Sequence, residues 1–218
     1  MMAVENLNLL AIINAVLIGV RDAEVTSLTN TRTKQVLQAV KEIYLEVCSM
    51  SSGRLKFLEA DGTITLAEST RSYDLEDDCG DPSLNSWILD NDKELFYLAY
   101  DKFKEDYIDI TEEGTPYNFT LMNGVALIGY VPNSNYAGKI ITYKYWKQPD
   151  DLTLTTDYPL IPKEFRRRIL VAGAKALIKK DDGNPNWKVD WDIHAEGVND
   201  LKKRYGSTVP LSLKVRAY

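Results

Sequence analysis

The segment from Asp157 to Asp182, DYPLIPKEFRRRILVAGAKALIKKDD, constrains the fold more than any other stretch of this chain. Pro162 suits a first helical turn, where its missing N–H has no intrahelical bond to lose. Glu164 near the start, and Lys179 with Lys180 at the end, complement the helix dipole. Phe165, Ile169, Ala172, Gly173 and Ala176 recur at three- and four-residue intervals and define one apolar face. The later part of that face is small, so another element can approach closely. A second helical pattern runs through Trp187, Trp191, Ala195, Val198, Leu201 and Tyr205. Asp182-Gly183-Asn184-Pro185 between them is a turn and helix-start signal. These spacings predict a helix hairpin. Phe165, Ile169, Ala172 and Ala176 pack it from one side, Trp187 and Trp191 from the other.

The stretch Leu7 to Val20 is strongly apolar but shorter than the ~20 residues that cross a bilayer. Glu5 is the only charged side chain before it, so it lacks the basic start of a signal peptide. A buried helix ending at Gly19 is expected. Arg21 to Thr33 reads as an ordered connection. A second helix from about Thr31 to Met50 follows, with Val36, Leu37, Val40, Ile43, Tyr44 and Val47 on its apolar face.

After Gly53 the period changes to two. Leu55, Phe57, Ile64 and Leu66 alternate with polar residues around Asp61-Gly62, which predicts a hairpin there. Tyr73–Leu75 and Trp87–Leu89 read as strands separated by an acidic loop, Glu76 to Pro82; Leu95 to Tyr107 fits a helix. Tyr117–Leu121 and Val125–Tyr130 flank Asn123-Gly124 as a second hairpin, and Lys139–Lys147 is a strand with Ile141, Tyr143 and Tyr145 on one face. Gly206 to Tyr218 alternates apolar and polar residues as an extended tail. The expected fold class is α+β: an N-terminal helical pair, a central β-rich region and a C-terminal helix hairpin with an extended tail. Residues 1–205 form a single domain, a helical bundle with a β region inserted at about 53–148, and 206–218 form an arm.

A search for chemistry yields little. His194 is the only histidine and lies on or beside the apolar face of the last helix, as a packed histidine would. Cys48 and Cys79 form no CxxC and have no histidine cluster nearby, which reads as two reduced thiols. Asp74 to Gly80 resembles half of a calcium loop. Its sixth position is Cys79 where glycine is required, and its twelfth is Asn85 where a bidentate Glu belongs, so it reads as a solvated acidic loop. No phosphate-binding loop is present, and Arg166-Arg167-Arg168 fan over most of a helical turn without forming one stripe. No catalytic, cofactor-binding or metal-ligating residue is expected. Charge is uneven: residues 1–109 carry 10 Lys/Arg against 20 Asp/Glu, residues 110–218 carry 16 against 12. Such polarity suits a protein whose two ends face different partners.

The order of these pieces carries a resemblance. Asn14-Ala15-Val16-Leu17 with Ile18-Gly19, then Val25-Thr26-Ser27-Leu28, is similar to the opening of tailed-phage head-to-tail adaptor proteins. That group includes the tail tubular A proteins of short-tailed phages and head-completion proteins. The resemblance continues through Leu55-Lys56-Phe57, Tyr143-Lys144-Tyr145-Trp146-Lys147-Gln148-Pro149, Asp150-Asp151-Leu152 and Tyr158-Pro159-Leu160-Ile161-Pro162 to Phe165 and the Ala-rich helix, over roughly residues 8–205. Two departures stand out. The family's Gly-Trp-x-Phe is here Gly53-Arg54-Leu55-Lys56-Phe57, without the tryptophan, and Asp74 to Asp81 has no counterpart.

The resemblance implies a non-enzymatic structural protein of the virion, assembled in the host cytoplasm, with no membrane association and no cofactor. It implies a homo-oligomeric ring of twelve copies beneath the portal protein at the capsid vertex. A downstream tail or nozzle protein would bind the other side, and DNA would pass through the channel without sequence-specific binding. In that family a C-terminal segment grips the portal. Here the corresponding arm would use Val209, Leu211, Leu213, Lys214, Val215, Arg216 and Tyr218. Two other readings compete: a carboxylate-based hydrolase acting on polysaccharide or nucleic acid, and a monomeric binding module.

Overall fold

A computed structural model describes residues 6–50, 55–107 and 112–206. Over the described residues the chain divides into two compact units, a helical one built from the segments up to residue 58 and from 149 to 206, and a β-rich one spanning 59–148. The α+β layout is the expected one.

In the helical unit, α1 (Leu9–Gly19) ends and α2 (Thr31–Cys48) begins where expected, and asparagine caps the start of each. The Asn8 side chain accepts from the Ala11 amide at 2.9 Å and the Asn30 side chain from the Thr33 amide at 2.7 Å. The carbonyls of Asp157 and Thr155 take the Leu9 and Leu10 amides, so the first turn of α1 is fully engaged. Asn14 exchanges two hydrogen bonds with the backbone of Val25 and ties down the connection between the helices. A rod follows: α4 (Lys163–Arg166), a π-helical turn (Arg167–Val171) and α5 (Ala172–Asp181). The π turn was not visible in the spacing of apolar residues. α6 (Trp187–Tyr205) then packs back on α5 and on the π turn. Arg32 pairs with both Asp22 and Asp182 at 2.8 and 2.6 Å, joining the start of α2 to the loop after α1 and to the end of α5.

The β unit holds two sheets. In the first, β9 (Ile140–Lys147) lies between β1 (Glu59–Thr65) on one side and β3 (Cys79–Pro82) and β4 (Ile88–Leu89) on the other, with β5 (Lys93–Glu94) beyond β4. The second has the order β2 (Ser72–Asp74), β8 (Val125–Ile128), β7 (Asn118–Met122), β6 (Phe96–Tyr97). Trp87 is fully buried between the sheets, stacked on Phe119 at 4.1 Å and on Tyr143 at 4.6 Å between ring centroids.

Two turn signals of the same kind had opposite outcomes. Asn123 and Gly124 have φ of 51° and 80° and join β7 to β8, as the sequence predicts. Asp61-Gly62 makes no turn. Both residues lie inside β1, opposite Lys144 and Tyr143. Gly62 serves packing instead, since a Cβ there would come within 2.4 Å of the Tyr143 ring. Three further expectations are corrected. Lys56–Leu58 is a 3₁₀ turn and not a strand. The acidic stretch contains strand β3, recruited by the edge of β9. Leu95–Tyr107 is helical only as α3 (Tyr100–Tyr107), because Phe96 and Tyr97 pair in parallel with β7.

Candidate functional site

The contact between α5 and α6 is set by two glycines. A Cβ on Gly173 would lie 2.8 Å from His194 Nδ1 and 3.0 Å from Ile43, and one on Gly197 would lie 3.1 Å from Arg168 and Ile169. The backbones therefore approach closely at two levels, and no indole fits on the line of contact. Phe165, Ile169, Ala172 and Ala176 are buried, but the buried face of α6 is Asp190, His194, Gly197, Val198 and Leu201. Trp187 and Trp191 stand half-buried on its flank. With Ala176, Leu177 and Lys180 they line an open cleft of about 240 Å³. Ranking residues by hydrophobicity rotates α6 towards its tryptophans; the glycines rotate it away from them. Trp191→Ala then forfeits only part of the ~3–5 kcal/mol of a buried aromatic truncation.

Asp190 is 4% exposed and is held by Lys175 at 2.7 Å and Lys179 at 2.6 Å. Burial alone would raise its pKa, but the two hydrogen bonds and the charges of the lysines outweigh it and leave the carboxyl below its ordinary value. The linkage has a definite sign. An unfolded Asp titrates near ~3.9, so the stabilisation is complete above that pH and is lost as pH falls through the lower folded value. Asp190→Asn should cost about 2–3 kcal/mol at pH 7, the worth of hydrogen bonds to a charged group. In urea melts the gap between variant and wild type should begin to shrink below about pH 4 and close only below the lowered folded pKa. A gap that persists unchanged at pH 3 would mean that the ion pairs are not its source.

His194 is buried, and its Nδ1 lies 3.0 Å from the Ile169 carbonyl within the π turn. A carbonyl only accepts, so Nδ1 carries the proton. The arginine run splits three ways. Arg166 is buried, and its guanidinium donates to the carbonyls of Ile161, Leu7 and Pro159 and to the Asn6 side chain at 2.7–3.0 Å. Arg168 pairs with Asp200 at 2.9 Å, and Arg167 is exposed. Arg166 and Arg168 are turned onto different parts of their own chain, so the run presents no basic stripe.

In the β unit, Asp78 accepts from Tyr145 Oη at 2.5 Å and pairs with Lys147 at 2.6 Å, bonds that hold its pKa down, that from Lys147 first. The acidic stretch is thus partly a strand-fastening element. Both cysteines are free thiols pushed up by burial, Cys48 to about 12 and Cys79 to about 11, the latter also by nearby carboxylates. Neither is an activated nucleophile. Among the described residues no group of three His, Cys, Asp or Glu could hold a metal ion. No helix among them is long and apolar enough to cross a membrane. The expected arm residues Val209, Leu211, Leu213, Lys214, Val215, Arg216 and Tyr218 lie outside the described residues.

The helical unit thus spends its buried ionisable groups, Arg166, Asp190 and His194, on its own packing. The family model described as SU10 adaptor protein matches residues 7–210, and the chain belongs to that family of phage head–tail adaptors. Membership makes it a structural component of the phage particle and implies association with portal and tail proteins. A search of the curated proteins finds no match.

Proposed function

We propose that the chain forms a closed ring, of twelve copies, that joins the portal at the capsid vertex to the next tail or nozzle component and lines the passage for DNA. Residues 1–205 are the adaptor body and 206–218 the portal-gripping arm. The family match, which runs through both compact units, carries this reading. The charge distribution supports it: residues 59–148 carry 7 Lys/Arg against 17 Asp/Glu, whereas residues 1–58 and 149–208 carry 17 against 15. A subunit with one acidic and one mildly basic unit suits a place between unlike neighbours.

The tail keeps its apolar residues at alternate positions and follows Lys202-Lys203-Arg204. Added as a strand to a partner's open edge, it would gain backbone hydrogen bonds and bury Leu211, Leu213 and Val215. Deleting residues 207–218 should leave the melting temperature nearly unchanged and abolish co-sedimentation with the portal. Undiminished binding by the truncated protein would overturn the arm. Electron microscopy of the full chain mixed with its portal should show a closed ring; isolated subunits on the portal would overturn the ring.

A further inference from the structure

We infer that the cleft between Trp187 and Trp191 of one copy receives the Met122 hairpin tip of a second copy, joining subunits head to tail. This rests on the ring reading above and names the contact that would build the ring.

The cleft has the makings of an anchor site. Its walls are two half-buried indoles, its floor is Ala176 and Leu177, and it is open to solvent. Its rim is basic: Lys180 Nζ lies 5.6 Å and Lys188 Nζ 6.0 Å from the centre of the Trp187 ring. Among the described residues neither lysine forms an ion pair. Half-exposed tryptophans with a cationic rim suit an apolar side chain flanked by carboxylates.

The β unit presents such a group. Met122 is 38% exposed and stands beside the Asn123-Gly124 turn, where a Cβ on Gly124 would meet nothing within 4 Å. Met122 pairs with Val125, and Val125 pairs with Asp74, so the acidic stretch begins two strands away from the thioether. Asp74 and Asp77 are exposed and, among the described residues, form no ion pair. Methionine adapts to irregular aromatic clefts and makes favourable sulfur–ring contacts. The two patches differ, so their contact is heterologous, the type that builds a ring when its rotation closes.

The test traps the contact between chains assembled on the portal. Cys48 and Cys79 are first replaced by alanine, and Met122→Cys and Leu177→Cys are placed in one chain. Oxidation should give a ladder of disulfide-linked subunits on non-reducing gels, with no ladder from either cysteine alone. Lys180→Glu with Lys188→Glu should reduce ring formation at least tenfold. Mixing that variant with Asp74→Lys/Asp77→Lys should restore it, because each then supplies the charge that the other lacks. Rings that form without a ladder, or a disulfide within one chain only, would overturn this contact and leave the ring reading intact. Failure of the wild type to form rings on the portal would remove both.

Discussion

Trp87→Ala is expected to lower the stability of the β unit by about 3–5 kcal/mol, the range for truncating a fully buried aromatic residue. The indole is 1% exposed and lies within 5 Å of two other ring centres, Phe119 from one sheet and Tyr143 from the other. Its removal leaves a void in the core between the two sheets. Tyr143 is held from sliding in to fill it. The Tyr143 hydroxyl accepts from the Glu76 amide, and the Tyr143 ring lies against Gly62. Trp87→Phe should lose less, since it keeps one stacked ring while giving up the 2.9 Å bond from Nε1 to the Ser83 carbonyl. Hydrogen exchange of the β1 and β9 amides, with urea melts, should rank wild type above Phe above Ala. Equal protection in all three would mean that the sheets do not depend on this stack.

Arg166→Met is expected to cost the helical unit about 3–5 kcal/mol, for a different reason. Methionine fills much of the volume, so packing is nearly kept. What is lost is the donor set for three carbonyls, each of which costs ~1–3 kcal/mol when buried without a partner. Replacing a buried ion pair by apolar residues can be neutral because both partners go. Here the partners are backbone groups of Leu7, Pro159 and Ile161 and stay behind. Burial lowers the Arg166 pKa, yet a guanidinium remains charged at neutral pH. Arg166→Lys should lose more than half as much, since one ammonium cannot span acceptors on two chain segments. Urea melts at constant slope would decide it: a midpoint within error of wild type for the Met variant would mean that water replaces the guanidinium without cost.

Where the reading of the sequence failed, it did so for identifiable reasons. Asp61-Gly62 and Asn123-Gly124 look alike as dipeptides. Only the second turns, because the first glycine answers to a tyrosine 81 positions later in the chain. The same holds for α6. Its apolar residues suggest a face through Trp187 and Trp191, but the close approach at Gly173 and Gly197 buries Asp190 and His194 instead. The lysines that make Asp190 tolerable inside, Lys175 and Lys179, are on another helix and carry no local sign of their target. Arg166 looked like one member of a surface run until the 159–161 segment folded over it.

The sequence by itself determined the features whose causes are local. The start of α2, the Asn123-Gly124 turn, the alternation of β9 and the α+β order of the pieces all follow from neighbours within a few residues. The succession of those pieces was enough to indicate the adaptor family. Only the tertiary structure decided which glycines serve packing and which serve turns, which charges are buried, and which aromatic residues remain at the surface. Those outcomes depend on how closely two backbones can approach, a distance set by side chains far apart in sequence.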